Sequence, residues 1–234
     1  MLFDLDDTLI DRSRAYRSWA EAFVDRHRAD GHDESTVEWL IHIDEDGFRD
    51  REAWALRVKD RFRLDIPDED VRAALHADYL EHYRIDGDTV AALHRLRKAG
   101  HRIGVVTNGP PTQLDKLRRN GLLEVIDGYV ISDLVGHRKP ARAIFEEAAR
   151  ACGGELAGGW MVGDSAPADM AGARAAGLTA VWLHRGRTWR KAAEQPDPWA
   201  VANDLPLSEP IPDGWEPDHL ADSVPHAVEV ILGA

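Results

Sequence analysis

The sequence predicts an α/β protein: a doubly wound, parallel-sheet domain with a small helical insertion after its first strand. Two observations predict it. From residue 88 onward, short runs of consecutive apolar residues alternate with helical segments, the pattern of strands buried on both faces of a parallel sheet. Between residues 11 and 87, apolar residues instead recur at three- and four-residue spacing throughout. A third observation concerns chemistry. The unusual polar residues fall directly after apolar runs, where open parallel sheets bind their ligands.

The chain opens on a very short apolar piece, Met1 to Phe3, read as the first strand, and runs into Asp4-Leu5-Asp6-Asp7-Thr8. From about Asp11 to Arg84 the pattern is helical. Tyr16, Trp19, Ala20, Phe23 and Val24 form the stripe of an amphipathic helix. Trp54, Val58 and Phe62 repeat at four-residue steps, as do Val71, Leu75, Tyr79 and Tyr83 behind the acidic start Asp68-Glu69-Asp70. Gly31, Gly47 and Pro67 punctuate these segments. The insertion is therefore read as three or four helices over residues 11–87, and the core as residues 1–10 with 88–234.

In the core, a helix carrying Val90, Leu93 and Leu96 ends at Gly100, and Ile103-Gly104-Val105-Val106-Thr107 reads as a buried strand. Further strands are expected at Tyr129–Ser132, Trp160–Gly163 and Thr179–Leu183. A helix is expected from Pro140 to Cys152 with proline in its first turn, and an alanine-rich one from Met170 to Ala176, stopped by Gly177. Arg187 to Pro217 is rich in Pro, Asp and Trp without clean periodicity. It reads as a long loop or lid-like excursion in which Trp189, Trp199 and Trp215 are packed. Leu220 to Ala234 supplies a last strand and helix.

Composition narrows the function. The 234 residues are 44% hydrophobic and 30% charged, enough apolar chain to bury a core and too much for a disordered protein. Asp and Glu outnumber Lys and Arg by 42 to 29, a net charge of -13 that repels phosphate backbones and anionic lipid. No nucleic-acid or membrane partner is expected. No apolar run approaches the roughly 18 residues of a membrane span, and the N-terminus lacks the basic-then-apolar pattern of a secretory signal. The single cysteine, Cys152, forms no internal disulfide and reads as a small buried residue. A cytoplasmic location is the expectation.

If the strands are neighbours, Asp4, Asp6 and Asp164 meet in one crevice. Carboxylates so crowded either raise their pKa values or recruit a cation, and all-oxygen ligands suit Mg²⁺. Thr107 offers a hydroxyl, Lys139 a point charge, and the loop around Asn108 its amides, the groups that neutralise phosphoryl oxygens during transfer. Asp4 is then the natural nucleophile. Asp6, two residues on, is placed to protonate the leaving oxygen and later to deprotonate the attacking water.

These residues resemble a known family. Phe3-Asp4-Leu5-Asp6-Asp7-Thr8-Leu9 resembles the first motif of the haloacid dehalogenase (HAD) superfamily, DxDxT at the end of strand one. Val105-Val106-Thr107-Asn108-Gly109 is similar to its second motif, His137-Arg138-Lys139-Pro140 to its third, and Gly163-Asp164-Ser165 with Asp169 to its fourth, in family order along essentially the whole chain. The helical insertion resembles the C1-type cap. The resemblance implies a Rossmann-like core and an Mg²⁺-dependent phosphatase acting on a small phosphorylated metabolite through an aspartyl-phosphate. A sugar phosphate, phosphoglycolate and a nucleotide monophosphate are the candidate substrates.

Residue by residue, the resemblance implies Asp4 as nucleophile and metal ligand, and Asp6 as general acid/base with its backbone carbonyl on the metal. Thr107 and the Asn108 amide would bind phosphate, Lys139 would steady nucleophile and phosphoryl group, and Asp164 would complete the metal site. Asp169 is expected to hold a metal-bound water or the Lys139 ammonium, and Thr8 to cap the turn and orient Asp4. One departure is that only Met1, Leu2 and Phe3 precede Asp4, where the family has a longer strand.

Members acting on 2-haloacids share this cap but generally lack a carboxylate two residues after the nucleophile. A dehalogenase is thus one alternative, and a catalytically weak phosphate-binding member another. In the insertion, Tyr16, Trp19 and Phe23 read as helical core. Arg12, Arg14 and Arg17, just after the catalytic loop, read for the most part as a solvated helix face, the alternative being that one of them grips a second anionic group of the substrate. The eleven histidines show no metal spacing. A monomer and a homodimer are both compatible with the pattern.

Overall fold

The computed structural model describes residues 1–27, 33–47, 49–202 and 211–234. Gly31, read above as punctuation, lies outside them, as does the side chain of Trp199. The chain forms two units, Met1–Ile10 with Ile85–Ala234, and Asp11–Arg84.

The first unit is built on strands β1 (Leu2–Phe3), β2 (Gly104–Thr107), β3 (Gly128–Ile131), β4 (Trp160–Gly163), β5 (Thr179–Leu183) and β6 (His219–Ala221). Among the described residues these form one sheet, ordered β3-β2-β1-β4-β5-β6 and parallel at every pairing. The order is that of the doubly wound fold, and its reversal point lies between β1 and β4. β1 is short, yet it is ordered from both sides: Leu2 registers with Gly104 and Met161, and Phe3 with Val105 and Val162. β1, β2 and most of β4 and β5 are buried, which is why their sequences are continuously apolar instead of alternating.

In chain order the helices are α1 (Arg12–His27), α2 (Glu34–Asp44), α3 (Arg51–Phe62), α4 (Asp68–Leu80), α5 (Gly87–Lys98), α6 (Gln113–Arg119), α7 (Ser132–Val135), α8 (Arg142–Ala151), α9 (Ala171–Ala176), α10 (Trp189–Ala193), α11 (Pro198–Ala202) and α12 (Val224–Gly233). In the core unit, Ile144, Phe145 and Ala148 of α8 pack with Met161, Met170 and Trp182. Gly177, at φ +73, ends α9 in the left-handed conformation that glycine adopts most readily. No helix among the described residues is long and apolar enough to cross a membrane.

Two expectations about the elements of the core are corrected. The helix expected to start at Pro140 begins at Arg142, because Ala141 is extended (φ -57, ψ 130) and a turn from Arg138 to Ala141 precedes it. The stretch after Arg187 is not wholly loop. Trp189 opens α10, its ring 5.1 Å from Trp182 and 5.6 Å from Trp215, with its indole N–H on the Trp215 carbonyl at 3.0 Å. Between Pro110-Pro111 and Asn120 lies α6, a helix with no counterpart among the expectations.

The second unit contains α1–α4. Tyr16, Trp19 and Phe23 are buried, as the stripe predicts, and Trp54 donates its indole N–H to the Tyr16 hydroxyl at 3.0 Å while that hydroxyl donates to Leu40 O at 3.2 Å. Asp33 and Asp50 cap α2 and α3 by accepting from Ser35 and Ala53 N–H groups. Arg12 does not lie on a solvated face: it is buried in an ion pair with Asp44, which also pairs with Arg51 at 2.8 Å. Arg17 pairs at the surface with Glu34 and Glu38.

Candidate active site

Asp4, Thr107, Asn108 and Asp164 lie at or just past the carboxyl ends of parallel strands, whereas Lys139 lies between α7 and α8 and Asp169 in the helical turn Ala166–Met170. β1 delivers Asp4, β2 ends in Thr107 with Asn108 next, and β4 ends in Gly163 with Asp164 next. Because β1 lies between β2 and β4, three loops far apart in sequence meet at the reversal point. The Asp4 N–H continues the ladder by donating to Val162 O at 3.0 Å, which fixes the aspartate although its strand is short.

Lys139 is the hub. Its buried ammonium lies 2.5 Å from Asp4 Oδ1 and 2.6 Å from Asp169 Oδ1. Asp169 is wholly buried, and its second oxygen accepts from Ser165 N–H at 3.0 Å. Gly163 has to be glycine here, since a Cβ at that position would run into the Asp169 carboxyl. Oxygens of Asp4, Asp164 and Asp169 lie within 4.8 Å of one another.

That crowding shows in the acidities. Burial pushes the Asp4 carboxyl up to about 7; Lys139 opposes the rise, and Asp169 and Asp6 add to it. Burial likewise pushes Asp164 well above the usual carboxylate range, with Asp169, Asp4 and Asp7 adding to it and Arg187 opposing. Burial disfavours the charge on Lys139, but Asp169 and Asp4 outweigh it and hold the ammonium above its ordinary value. Three clustered carboxylates facing one ammonium form an all-oxygen, electron-rich donor set, which fits a hard divalent cation.

A second network holds Asp6. Lys116 Nζ lies 2.7 Å from both Asp6 oxygens. The Gln113 amide donates to Asp6 Oδ2 at 2.8 Å and to Thr107 Oγ1 at 2.9 Å, bridging the loops after β1 and β2. Gln113 and Lys116 stand one helical turn apart on one face of α6, and both are buried. Sequence reading missed them. The available signal was the three-residue spacing of two long polar residues beside the apolar Leu117, directly behind the candidate phosphate loop.

The Asn108 side chain grips the backbone of Lys139: its amide N–H donates to Lys139 O at 3.0 Å, and its Oδ1 accepts from Lys139 N–H at 2.9 Å. Arg187, which lies in the stretch read as loop, donates to Asp164 O at 2.7 Å and Oδ2 at 3.0 Å. Asp7 sits at φ +55 in the turn, its N–H on Ile10 O. Thr8 departs from expectation. Among the described residues its buried hydroxyl has no hydrogen-bond partner, so no bond ties it to the turn or to Asp4; the backbone carbonyl accepts from Arg185 at 3.1 Å.

A model of the haloacid dehalogenase-like hydrolases matches residues 1–177. The sequence is 30% identical over 200 residues to a glyceraldehyde 3-phosphate phosphatase of Pyrococcus abyssi, covering 80% of this chain and 82% of that one. It is 31% identical over 195 residues to a phosphoserine phosphatase of Thermus thermophilus, covering 80% and 75%. In fold it is similar to the HAD hydrolase YfnB of Bacillus subtilis, crystallised with magnesium, at a TM-score of 0.70 and 17% identity over 98% of this chain and 96% of that one.

Proposed function

The chain belongs to the haloacid dehalogenase-like hydrolases, and from that premise we propose that it is an Mg²⁺-dependent phosphatase of a small phosphorylated metabolite, with Asp4 as its covalent nucleophile. The observation that carries this reading is Lys139 bridging Asp4 and Asp169 beside Asp164. Such a site sets carboxylates that attract a cation beside the fixed Lys139 ammonium, and those positive charges neutralise phosphoryl oxygens.

Asp4 and Asp164, with the Asp6 backbone carbonyl, would hold the cation, since Lys139 and Ser165 engage both oxygens of Asp169. When bound, Mg²⁺ supplies positive charge to the phosphoryl oxygens and keeps the Asp4 carboxyl ionised. A carboxylate oxygen of Asp4 attacks phosphorus, and the bond to the substrate oxygen breaks as Asp6 gives that oxygen a proton. Asp6 then takes a proton from water, whose oxygen attacks the same phosphorus and returns Asp4 and inorganic phosphate. Lys139 balances charge on Asp4 and on the phosphoryl group throughout. Thr107 and the backbone N–H of Asn108 bind the phosphoryl oxygens, with Gln113 fixing the Thr107 hydroxyl against Asp6.

The relatives' names point to short phosphorylated metabolites as substrates. A carboxylate at Asp6 and an acidic cation site at Asp164 favour phosphate esters over 2-haloacids. Hydrolysis of p-nitrophenyl phosphate with EDTA and then with added Mg²⁺ tests the reading. Activity that EDTA abolishes and Mg²⁺ restores supports it, and haloacid turnover unaffected by EDTA overturns it.

A further inference from the structure

We infer that Arg187 is a positioning residue of the cation site: it holds the Asp164 carboxylate as a built-in counter-ion and thereby limits how tightly a divalent cation binds. Just beyond β5, residues His184–Arg187 form a tight turn. The Arg187 N–H donates to His184 O at 2.7 Å, and the Gly186 N–H to His184 Nδ1 at 3.1 Å. Arg185 and Gly186 both take left-handed backbone, at φ 45 and φ 76. For arginine that conformation is costly and survives only where surrounding contacts impose it.

The turn sends two guanidinium groups to two different loops of the candidate site. Arg185 donates to Thr8 O in the loop after β1. Arg187 donates to both the backbone carbonyl and the carboxylate of Asp164 after β4. The Arg187 guanidinium also lies 5.6 Å from the Trp182 ring centre, and the Trp182 indole N–H donates to the same Asp164 carbonyl at 2.8 Å. Ring, carbonyl and carboxylate therefore fix the guanidinium at three points. Arg187 remains 39% exposed, so its charge costs little desolvation to maintain.

The consequence is competitive. A divalent cation on Asp164 draws on the carboxylate that Arg187 already pairs, and it meets the guanidinium's positive charge at close range. Among the acidic trio, Lys139 is committed to Asp4 and Asp169, and among the described residues Arg187 is the cation paired with Asp164. Neutralising Arg187 removes the repulsion and frees the carboxylate, whereas a lysine in its place keeps the charge.

The inference rests on the proposed cation site but not on the reaction, so its test uses no substrate. Mn²⁺ and Mg²⁺ titrations of the full chain at fixed ionic strength, followed by calorimetry and by the Mn²⁺ electron-spin signal, give dissociation constants directly. Arg187→Gln is expected to bind both cations on the order of tenfold more tightly, the scale of one partly screened charge beside a dication. Arg187→Lys is expected to stay within about twofold of the unmodified chain on the same reasoning. Thermal unfolding accompanies each titration, and Arg187→Met, which keeps the stem on the Trp182 ring, repeats the test if Gln costs the fold. Equal or weaker affinity in a folded Arg187→Gln chain overturns the inference alone, as does tightening of the same size in Arg187→Lys. No cation binding by the unmodified chain overturns the cation site and the inference with it.

Discussion

The side-chain amide of Asn108 brackets the backbone of Lys139, donating to its carbonyl and accepting from its N–H. Two residues 31 apart in sequence are thereby locked as a pair, and the lysine that touches Asp4 and Asp169 is held by its main chain as well as by its ammonium. Asn108→Ala removes both bonds, at a cost of about 1–3 kcal/mol of stability. Turnover should fall further than KM rises, because the misplaced group acts on the reacting phosphoryl. Urea unfolding and steady-state kinetics on the same preparation check this.

Lys139→Met should abolish turnover and also destabilise the chain by about 3–5 kcal/mol, the cost of removing one partner from a buried ion pair. Asp4 and Asp169 would be left facing each other without the buried ammonium between them. A variant as stable as the unmodified chain in urea would contradict the hub role assigned to this lysine.

The network on α6 leads to a separate expectation. Lys116→Met takes away the ammonium that contacts both Asp6 oxygens, so the acid/base carboxylate loses its fixed position. A fall of about 10²-fold in kcat, the lower end of what general acid–base catalysis contributes, is expected with a smaller change in cation affinity. Kinetics paired with a Mn²⁺ titration separate the two effects.

In the helical unit, burial works against the Asp44 charge, but Arg12 and Arg51 outweigh it and hold this carboxyl below its ordinary value. A carboxyl with a depressed folded pKa adds stability that is fully present above its unfolded value of about 3.8 and is lost as pH falls through the folded value. Unfolding midpoints should therefore drop below pH 4 in the unmodified chain. Asp44→Asn should lose stability at pH 7 and show a flatter decline in acid. Parallel pH dependence in the two chains would contradict the assignment.

Much of this was legible in the sequence because strong signals agreed with the fold. Val105-Val106 and Met161-Val162 read as strands since both faces of the sheet are covered, and Tyr16, Trp19 and Phe23 showed a clear helical face. Asp4 and Asp164 do follow β1 and β4, as their places after apolar runs predict, whereas Lys139, expected at a strand end, lies beyond α7 and reaches Asp4 through its side chain. The α6 helix was not legible: Pro110-Pro111 in front of it signals a loop, and seven residues give periodicity little room. Arg187 was equally hidden, because its role depends on a turn bringing it back to Asp164 from 23 residues away. The Thr8 hydroxyl misled, since its place in a polar motif suggests a hydrogen bond that the buried group does not make.

Acid-quenched peptide mass spectrometry after brief exposure to p-nitrophenyl phosphate and Mg²⁺ reads out phosphorylation of Asp4 itself. A phosphoryl group is expected on the peptide that carries Asp4 and is expected to be absent from Asp4→Asn, which should be inactive with its fold unchanged. Phosphate release by Asp4→Asn at the normal rate, or turnover that never places a phosphoryl group on Asp4, would contradict Asp4 as the nucleophile.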